Sequence, residues 1–490
     1  MATLMIDELL LTELIESLLD WQVENHSNIF MFGPADLRGA FSRYYYFSAI
    51  NQPSALLPLI NASKGWRFEN KRQPLIDLYQ EIQALDSFEY KVKRLIRHAL
   101  SWEKIIYIKL ASLFCQKGIG GNRDKKKVIG FFALNSRFVF FFQGVIENLK
   151  GYQTIFFSPD FNATDDDILK VGSQSQKLML GEVRLLDIHI PLRHQLFSTY
   201  VNILHFYVSM FGSLEYNQPS VLVFAEGTSM QDEVASQAAK ALSIPTVRIQ
   251  SGRGGVMHCG YRNMSFDRML CWGEGFVKRY KEYSPSPIYE ITGSPLFKGL
   301  KETNKEATDF AVAVFTQPIS KHISVKEYTA LINVCNAIVN KIPEAKIIVR
   351  KHPVDISNAF DELSALYPER VKLMPITECS LAEVMCKVQC AVGFYSTTLS
   401  EAAACDVIPI VMKLREQYSV FPFPEKYGAA IIAESEKDTF DIIHSILKTP
   451  NKFLETREKM KVFSIEFFGE NDGKSLNRIA DSILKAGTKQ

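Results

Sequence analysis

From about residue 127 onward, short apolar runs alternate with helical stretches, and this alternation constrains the fold more than any other feature of the sequence. The run at 128–134 is unbroken, as in a strand buried on both faces of a parallel sheet. The runs lie at residues 128–134, 154–157, 220–224, 245–250, 311–315, 346–350 and 390–393. Strands alternating with helices predict parallel sheets joined by right-handed crossovers, with ligands bound beyond the carboxyl ends of the strands. Because the runs fall into two sets, we predict an α/β chain with two Rossmann-like doubly wound domains facing a cleft.

A helical region precedes this alternation. Leucine and isoleucine recur at three- and four-residue spacing between Ile6 and Leu19, which is the pattern of a helix with one buried face. Residues 118–125 combine glycines with charged residues and are typical of a linker. We therefore expect a helical N-terminal region, two Rossmann-like domains and a C-terminal helix, over residues 1–125, 126–304, 305–465 and 466–490.

Composition and missing motifs exclude several classes of function. The 56 Lys and Arg nearly balance the 54 Asp and Glu, so no nucleic-acid partner is indicated. The eight cysteines form no CxxC pair, Cys386 and Cys390 are expected to be small core residues, and this cysteine usage indicates a reducing cytosol. The sequence has no GxGxxG after a strand, no GxxxxGK[ST], no HExxH and no Cys/His metal spacing. We therefore expect no metal, and neither hydride transfer nor P-loop chemistry is favoured.

The segment Phe-Ala-Glu-Gly-Thr-Ser at 224–229 follows one of the predicted strands and opens a helix. Glu226 would lie at the carboxyl end of the strand, and Gly227 would let the backbone approach a ligand. The segment predicts either a capping turn with an exposed glutamate or a general base directed into the cleft. Asp232 and Glu233, one turn further on, are the nearest substitutes for that base.

The next predicted strand ends in Gln250 and a glycine-rich loop that contains Arg253. This exit is typical of a cleft wall that holds a polar substrate, and it is equally typical of a plain flexible loop. Asn135 and Arg137 stand among the phenylalanines that follow the first strand of the same set. We take these four residues as candidate contacts to a polar substrate.

Residues 350–353 read Arg-Lys-His-Pro and follow three apolar residues of a predicted strand. Arg350, Lys351 and His352 offer hydrogen-bond donors at the carboxyl end of that strand, and Pro353 stops it. A nucleotide phosphate and its leaving group need such donors. The segment therefore predicts a phosphate site.

A second candidate phosphate site begins at Ser396. This serine, Thr397 and Thr398 occupy the first turn of a predicted helix, with Glu401 a few positions on. Hydroxyl groups and free amides at a helix N-terminus bind anions, although the same Ser/Glu spacing also fits a capping box. Gln317, after the strand at 311–315, is grouped with this site.

At these residues the sequence resembles GT-B glycosyltransferases of bacterial surface-polysaccharide synthesis. It is most similar to those that use CMP-activated sugar acids, the bacterial sialyltransferases and Kdo-type transferases. In that family a (D/E)(D/E)G motif supplies the base, an HP motif supports the donor phosphate, and a later Ser-Ser/Thr pair binds it. The matching segments here are Glu226-Gly227, His352-Pro353 and Ser396-Thr397, within a resemblance that covers roughly residues 127–465. Ala225 stands where the family has its first acidic residue.

The resemblance implies transfer of a sialic-acid-like or Kdo-like sugar from a CMP-activated donor to a bacterial surface glycan or glycolipid, with no cofactor besides the donor. It implies Glu226 and His352 as the catalytic residues. Glu378 or Glu383 is similar in place to the acidic residue that holds the nucleotide ribose. The implied nucleotide-sugar contacts are Arg350, Lys351, Pro353, Glu378, Glu383, Ser396, Thr397, Thr398, Glu401 and Gln317. The implied acceptor contacts, in the N-terminal Rossmann-like domain, are Asn135, Arg137, Gln250 and Arg253.

Other functions remain open for the same residues. The segments at 221–229 and 244–247 also resemble non-hydrolysing UDP-sugar 2-epimerases, which share the GT-B fold. A glycosyltransferase that uses a UDP-linked sugar is a further alternative. A non-catalytic nucleotide-sugar-binding scaffold would use the cleft without a base.

The sequence also bears on location in the cell. The first residues carry no basic segment ahead of their apolar stretch, which disfavours a secretory signal. Residues 196–214 contain no Asp, Glu, Lys or Arg over 19 positions, but serine, threonine and asparagine interrupt them. We expect a buried helix there rather than a membrane span. The protein is therefore expected in the cytoplasm, with peripheral contact to the inner membrane and the oligomeric state left open.

Overall fold

The computed structural model describes most of the chain, namely residues 7–67, 71–86, 96, 100–101, 128–159, 174–177, 196–253, 256–297, 309–320, 323–352, 354–375, 379–415, 421–470 and 472–488. These residues belong to two structural units. Unit 1 takes residues 1–270, 278–290 and 476–490, and unit 2 takes residues 271–277 and 291–475.

Unit 1 begins with helices and a short antiparallel hairpin. The helices are α1 (Glu8–Asn25), α2 (Arg38–Ala49), α3 (Leu57–Ala62) and α4 (Gln73–Gln83), and the hairpin pairs β1 (Met31–Phe32) with β2 (Ala35–Asp36). Helix α1 begins where it does because the Asp7 carboxylate accepts the backbone N–H groups of Leu9 and Leu10, each at 2.9 Å. Its buried face includes Leu11 and Leu18. The described part of the N-terminal region is helical, as the leucine spacing predicts.

A seven-stranded sheet forms the centre of unit 1, in the order β5-β4-β3-β6-β7-β8-β9. Its strands are β3 (Val128–Phe132), β4 (Gln153–Ser158), β5 (Gln174–Lys177), β6 (Val221–Ala225), β7 (Thr246–Ile249), β8 (Arg268–Cys271) and β9 (Ile288–Ile291). The accompanying helices are α5 (Ser136–Ile146), α6 (Phe197–Asn217), α7 (Met230–Ala241) and α8 (Glu274–Tyr283). The pairs from β5 to β8 are parallel, and every residue of β6 is buried, as expected for a central parallel strand.

Unit 2 contains a six-stranded parallel sheet in the order β12-β11-β10-β13-β14-β15. Its strands are β10 (Ala311–Phe315), β11 (Lys346–Arg350), β12 (Val371–Leu373), β13 (Cys390–Gly393), β14 (Ile408–Met412) and β15 (Ile431–Ala433). Its helices are α9 (Val325–Lys341), α10 (Ala359–Leu366), α11 (Leu381–Met385), α12 (Thr397–Ala404), α13 (Glu436–Lys448) and α14 (Leu454–Phe468).

Both sheets have the strand order of a doubly wound fold. In each sheet the first strand of the set lies in the middle, with the second and third on one side and the fourth onward on the other. The strand order therefore reverses between β3 and β6 in unit 1 and between β10 and β13 in unit 2. Loops diverge at such a switch point and leave a crevice at the carboxyl ends, where ligands of this fold bind. The predicted pair of Rossmann-like parallel sheets is confirmed.

The last helix, α15 (Ser475–Gly487), belongs to unit 1 although it follows unit 2 in sequence. Ile479 and Ile483 are fully buried in the core formed by β3, β6, β7 and α5. The chain passes between the units at residues 270/271, 277/278, 290/291 and 475/476. The sequence placed boundaries at 304/305 and 465/466. The return to unit 1 at 475/476 arises because the apolar face of its sheet is covered by a helix from a distant part of the chain.

The uncharged stretch at 196–214 falls mainly within α6, whose buried residues include Val201 and Leu214. Among the described residues, no helix combines the length and the hydropathy that crossing a bilayer requires.

The position of α15 predicts the effect of shortening Ile483. Ile483→Ala is expected to lower the free energy of unfolding of unit 1 by about 2–5 kcal/mol, because it leaves a cavity in a closed core. The matched control Ile465→Ala changes a side chain that is 64% exposed on α14 and is expected to stay within about 0.5 kcal/mol. Urea unfolding of both variants checks this, and equal effects would contradict the placement of α15.

Candidate functional site

The switch point of unit 1 holds Glu226 in an unusual backbone conformation. Glu226 and Gly227 directly follow β6, and both have φ of +67°. A non-glycine residue in this left-handed region costs on the order of 1–3 kcal/mol and persists only where its surroundings impose it. Position 227 requires glycine, because a Cβ there would lie 2.8 Å from Cδ of the buried Arg248. The Glu226 side chain is half-buried at the carboxyl edge of the sheet.

Asp232 is part of a helix cap. It is buried, and its Oδ2 accepts the Ser229 backbone N–H at 3.0 Å and the Ser229 hydroxyl at 2.7 Å, which completes the capping box of α7. Its Oδ1 has no hydrogen-bond partner among the described residues. Burial raises the pKa of Asp232 to about 6. The carboxylate is thus held by its own helix.

Glu233 forms a buried ion pair. Its Oε2 lies 3.0 Å from Nη2 of Arg43 on α2, and neither side chain is more than 2% exposed. Its Oε1 accepts a hydrogen bond from Gln237 at 3.0 Å. Of the three glutamate and aspartate candidates for a base, Glu226 alone is half-exposed.

A buried basic and aromatic cluster that was not predicted from sequence lies behind the turn at residues 226–227, here called the Glu226 turn. Arg248 lies within β7, with its guanidinium over the rings of Tyr261 at 5.3 Å and Tyr280 at 5.7 Å. His258 accepts the backbone N–H of Gly260 on Nδ1 at 3.0 Å. Burial, aided by Arg43, Arg248 and Arg262, lowers the pKa of His258 to about 4. An arginine inside an otherwise apolar strand is the one sequence signal that could have indicated this cluster.

The predicted acceptor contacts lie at the ends of two strands of unit 1. Asn135 and Arg137 are exposed just after β3, and the Arg137 guanidinium lies 5.7 Å from the centre of the Phe138 ring. Gln250 is buried after β7, where its Nε2 donates to the carbonyl of Gly252 at 3.0 Å. Arg253 is half-exposed in the same loop. These strands flank β6, so the four residues follow strands adjacent to the one that carries Glu226.

The switch point of unit 2 is bridged by Gln317. Its Nε2 donates to the carbonyl of Tyr395 at 2.9 Å, which joins the loop after β10 to the loop after β13. Ser396 is the N-cap of α12, and its hydroxyl oxygen accepts the backbone N–H of Thr398 at 3.2 Å. Thr397 is exposed and Thr398 half-buried in the first turn, while Glu401 is buried further along α12. The positive end of a helix and its hydroxyl groups thus lie at the carboxyl edge of the sheet.

Arg350, Lys351 and His352 follow β11 but do not share one environment. Arg350 is half-buried and donates from Nη1 to the carbonyl of Cys379 at 2.6 Å, and burial lowers its pKa. Lys351 donates to the carbonyl of Ser357 and forms an ion pair with Asp361, each at 2.7 Å. His352 is exposed. Pro353 and Glu378, which were also predicted as nucleotide-sugar contacts, lie outside the described residues.

The backbone of His352 is held by residues that the sequence did not indicate. The His352 N–H donates to the Thr316 hydroxyl at 3.1 Å, and that hydroxyl donates to Oδ2 of Asp355 at 2.5 Å. Buried Asp355 also accepts from the Tyr328 hydroxyl at 3.0 Å, and its own N–H donates to the carbonyl of His352 at 2.9 Å. These bonds fix the turn that presents His352 beside the loop after β10.

Glu383 caps a helix. Its Oε2 accepts the backbone N–H and the hydroxyl of Ser380 at 2.6 and 2.7 Å, forming the capping box of α11. Those hydrogen bonds lower the pKa of Glu383. Among the described residues, no group of three or more His, Cys, Asp or Glu side chains is arranged to hold a metal ion.

Comparison with known proteins gives similarity at the level of fold. No family model and no curated protein sequence matches the chain. A provisionally assigned UDP-N-acetylglucosamine 2-epimerase from Listeria monocytogenes matches with a TM-score of 0.52 and 12% identity, over 74% of this chain and 98% of the other. At that identity the match shows the fold alone, and it supports the α/β GT-B fold with two Rossmann-like domains.

Two further structures match less well. A UDP-GlcNAc 2-epimerase from Neisseria meningitidis bound to UDP-GlcNAc has a TM-score of 0.47 and 15% identity, over 73% of this chain and 100% of the other. MurG from Acinetobacter baumannii has a TM-score of 0.44 and 12% identity, over 73% and 99%. Scores below 0.5 carry no argument for the present chain.

Two buried titratable groups of unit 1, His258 and Asp232, predict opposite pH dependences of stability. The pKa of His258 falls from 6.5 to about 4 on folding, so the stability that His258 contributes is lost as the pH falls from 6.5 toward 4. The pKa of Asp232 rises from 3.8 to about 6, so the stability linked to Asp232 is present below 3.8 and lost as the pH rises through 6. Each group contributes on the order of 3 kcal/mol, since one pKa unit corresponds to about 1.4 kcal/mol.

Urea unfolding at pH 7.0 and 4.5 checks this. Relative to the unmodified protein, His258→Gln is expected to gain stability on acidification and Asp232→Asn is expected to lose it. If the free energy of unfolding changes between pH 7.0 and 4.5 by the same amount in both variants as in the unmodified protein, the two pKa directions are contradicted.

Proposed function

We propose that this chain is a nucleotide-sugar-dependent glycosyltransferase. The nucleotide sugar binds at the switch point of unit 2, and the acceptor binds at the switch point of unit 1. The observation that carries the proposal is that each doubly wound sheet places a different chemistry at its switch point. Unit 1 has a half-buried carboxylate in a strained backbone, and unit 2 has a helix N-terminus with hydroxyl, guanidinium and imidazole groups nearby.

The groups of unit 2 suit a phosphate. The N-terminus of α12 carries partial positive charge, and Ser396, Thr397 and Thr398 supply hydroxyl groups there. Arg350 and His352 follow the strand next to β10. In the reaction these groups stabilise the negative charge that collects on the departing nucleotide phosphate. Thr316 and Asp355 support that role by holding the backbone of His352.

Glu226 suits the role of the general base. Its carboxylate accepts the proton of an acceptor hydroxyl, whose oxygen attacks the anomeric carbon of the donor sugar. The bond from that carbon to the phosphate oxygen breaks, and the nucleotide leaves with the electron pair. Asn135, Arg137, Gln250 and Arg253 contact the acceptor, a bacterial surface glycan or glycolipid. A glycolipid acceptor would bring the enzyme to the cytoplasmic face of the inner membrane.

A UDP-linked sugar is the first candidate donor. The fold match is to a provisionally assigned enzyme of UDP-N-acetylglucosamine, and the switch-point groups of unit 2 suit any nucleotide phosphate. The resemblance at His352 and at Ser396-Thr397 keeps a CMP-activated sugar acid as the second candidate. The same fold match favours one further function, a UDP-sugar 2-epimerase, which interconverts a free UDP-sugar and needs no acceptor.

A melting-temperature panel with CMP, UDP, GDP and CDP separates the donors. A ligand that binds only the folded state raises the melting temperature, by an amount that grows with its concentration. UDP is expected to stabilise the protein, and His352→Ala is expected to remove most of that effect. Stabilisation by CMP alone would overturn the UDP assignment, and no stabilisation by any of the four would overturn the nucleotide site.

Glu226→Gln tests the base. The substitution keeps the size of the side chain but removes proton acceptance, so transfer to a glycan acceptor is expected to fall by about 10²–10⁴-fold with nucleotide binding unchanged. Glu147→Gln, at an exposed carboxylate of unit 1, is the control and should retain full transfer. Mass spectrometry of the acceptor measures transfer. Undiminished transfer in Glu226→Gln would exclude that residue as the base, and conversion of UDP-N-acetylglucosamine without acceptor would indicate the epimerase.

A further inference from the structure

Helix α2 contacts the Rossmann-like part of unit 1 beside the Glu226 turn, and its first contact is a buried charge pair. Arg43 is fully buried, and its ion pair with Glu233 reaches α7, the helix that begins directly after the turn. The pair is closely enclosed: a Cβ at Gly39 would lie 2.7 Å from Nη1 of Arg43 and 3.3 Å from the Glu233 side chain. The charge on α7 therefore has its partner on the N-terminal helices.

The second contact joins α2 to the segment at residues 258–261. The Tyr46 ring stacks on the His258 ring with centroids 4.4 Å apart and planes 10° from parallel. Nη2 of Arg43 also approaches the carbonyl oxygen of Gly260 at 3.5 Å. The same two residues of one helix turn thus hold α7 and the 258–261 segment.

The 258–261 segment in turn packs against the Glu226 turn. A Cβ at Gly260 would lie 2.5 Å from the carbonyl oxygen of Thr228, so the two backbones are in direct contact. Arg248, which packs against Gly227, lies over the ring of Tyr261. The 258–261 segment thus contacts Thr228, the residue after the left-handed pair 226 and 227, and it also contacts Arg248, which packs against Gly227.

Left-handed backbone at a non-glycine residue persists only where the surrounding structure imposes it. The surroundings here include Arg248 and Phe266 beside Gly227, and the 258–261 segment beside Thr228. Helix α2 contacts that segment and also α7, which begins at Met230. We propose that α2 sets the conformation of the Glu226 turn through Arg43 and Tyr46, which act as positioning residues for Glu226. The N-terminal helices are then part of the framework of the acceptor site. The role of Arg43 and Tyr46 as positioning residues rests on the proposed function, in which Glu226 is the base. The packing claim, that α2 sets the conformation of the Glu226 turn, does not rest on it.

Tyr46 offers a matched pair of variants. Tyr46→Leu removes the ring that stacks on His258, while Tyr46→Phe keeps the ring and loses only the hydroxyl that donates to Glu8 at 2.6 Å. Arg43→Met, a third variant, removes the charge within a similar volume. In Tyr46→Leu and Arg43→Met, amide exchange at residues 225–233 and 256–262 is expected to speed up at least tenfold. Exchange at residues 311–315 in unit 2 should not change, and Tyr46→Phe should behave as the unmodified protein.

A second measurement reports on His258 directly. The pKa of His258, about 4 in the unmodified protein, is expected to rise in Tyr46→Leu and in Arg43→Met, as followed by NMR of ¹⁵N-labelled histidine. His258→Gln assigns the resonance. An unchanged pKa together with unchanged exchange in Tyr46→Leu would overturn the packing claim, whatever reaction the protein catalyses.

Transfer kinetics test the positioning role. In Tyr46→Leu, kcat is expected to fall at least tenfold with KM for the nucleotide sugar unchanged, and Tyr46→Phe should restore kcat. Equal losses in both Tyr46 variants, or a loss confined to KM, would overturn the positioning role. If the unmodified protein transfers no sugar, the proposed function fails, and the exchange and NMR results still decide the packing claim.

Discussion

Parallel strand direction is the constraint on which the rest of the structure depends. Because neighbouring strands run the same way from β5 to β8 and throughout the unit 2 sheet, each of these strands delivers its last residues to one edge. The reversal of strand order then opens a crevice at that edge, between β3 and β6 in unit 1 and between β10 and β13 in unit 2. Glu226 lies at the first position, and Gln317 and Ser396 lie at the second. Within unit 2, the topology thus brings together the loops of Gln317 and Ser396, which are far apart in sequence.

A second principle is that buried charge in unit 1 organises the Glu226 turn. Glu233 has an arginine partner from α2, and Arg248 lies between tyrosine rings behind Gly227. Burying an ion pair costs desolvation, so such a pair contributes less to net stability than to holding its elements in one arrangement. The hydrogen bonds of Asp355 have a similar effect in unit 2, where they hold the backbone of His352. In each unit, buried charged groups thus hold the backbone that carries the exposed residues of the candidate site.

Much of the fold could be predicted from sequence, because short, mostly apolar runs and their spacing are local signals. The strands at 221–225, 311–315 and 346–350 follow from such runs. The strand-end positions of Glu226 and Ser396 follow as well, since a motif directly after a strand has little freedom. The return of α15 to unit 1 could not be predicted, because it depends on which distant apolar face remains uncovered.

The individual roles of charged residues were less predictable. From sequence, Asp232 and Glu233 were alternative candidates for the base. In the structure, Asp232 is buried in a helix cap and Glu233 pairs with Arg43. Lys351 stands beside His352 in sequence, yet it pairs with Asp361. Each outcome depends on a partner many residues away, which spacing along the chain does not reveal.

Amide hydrogen exchange of the full chain, with and without saturating UDP, tests the central claim most directly. The account predicts that UDP slows exchange at residues 316–317, 350–352 and 394–399, the edge of the unit 2 sheet around its switch point. Bound UDP that slows exchange only at other residues would contradict the account.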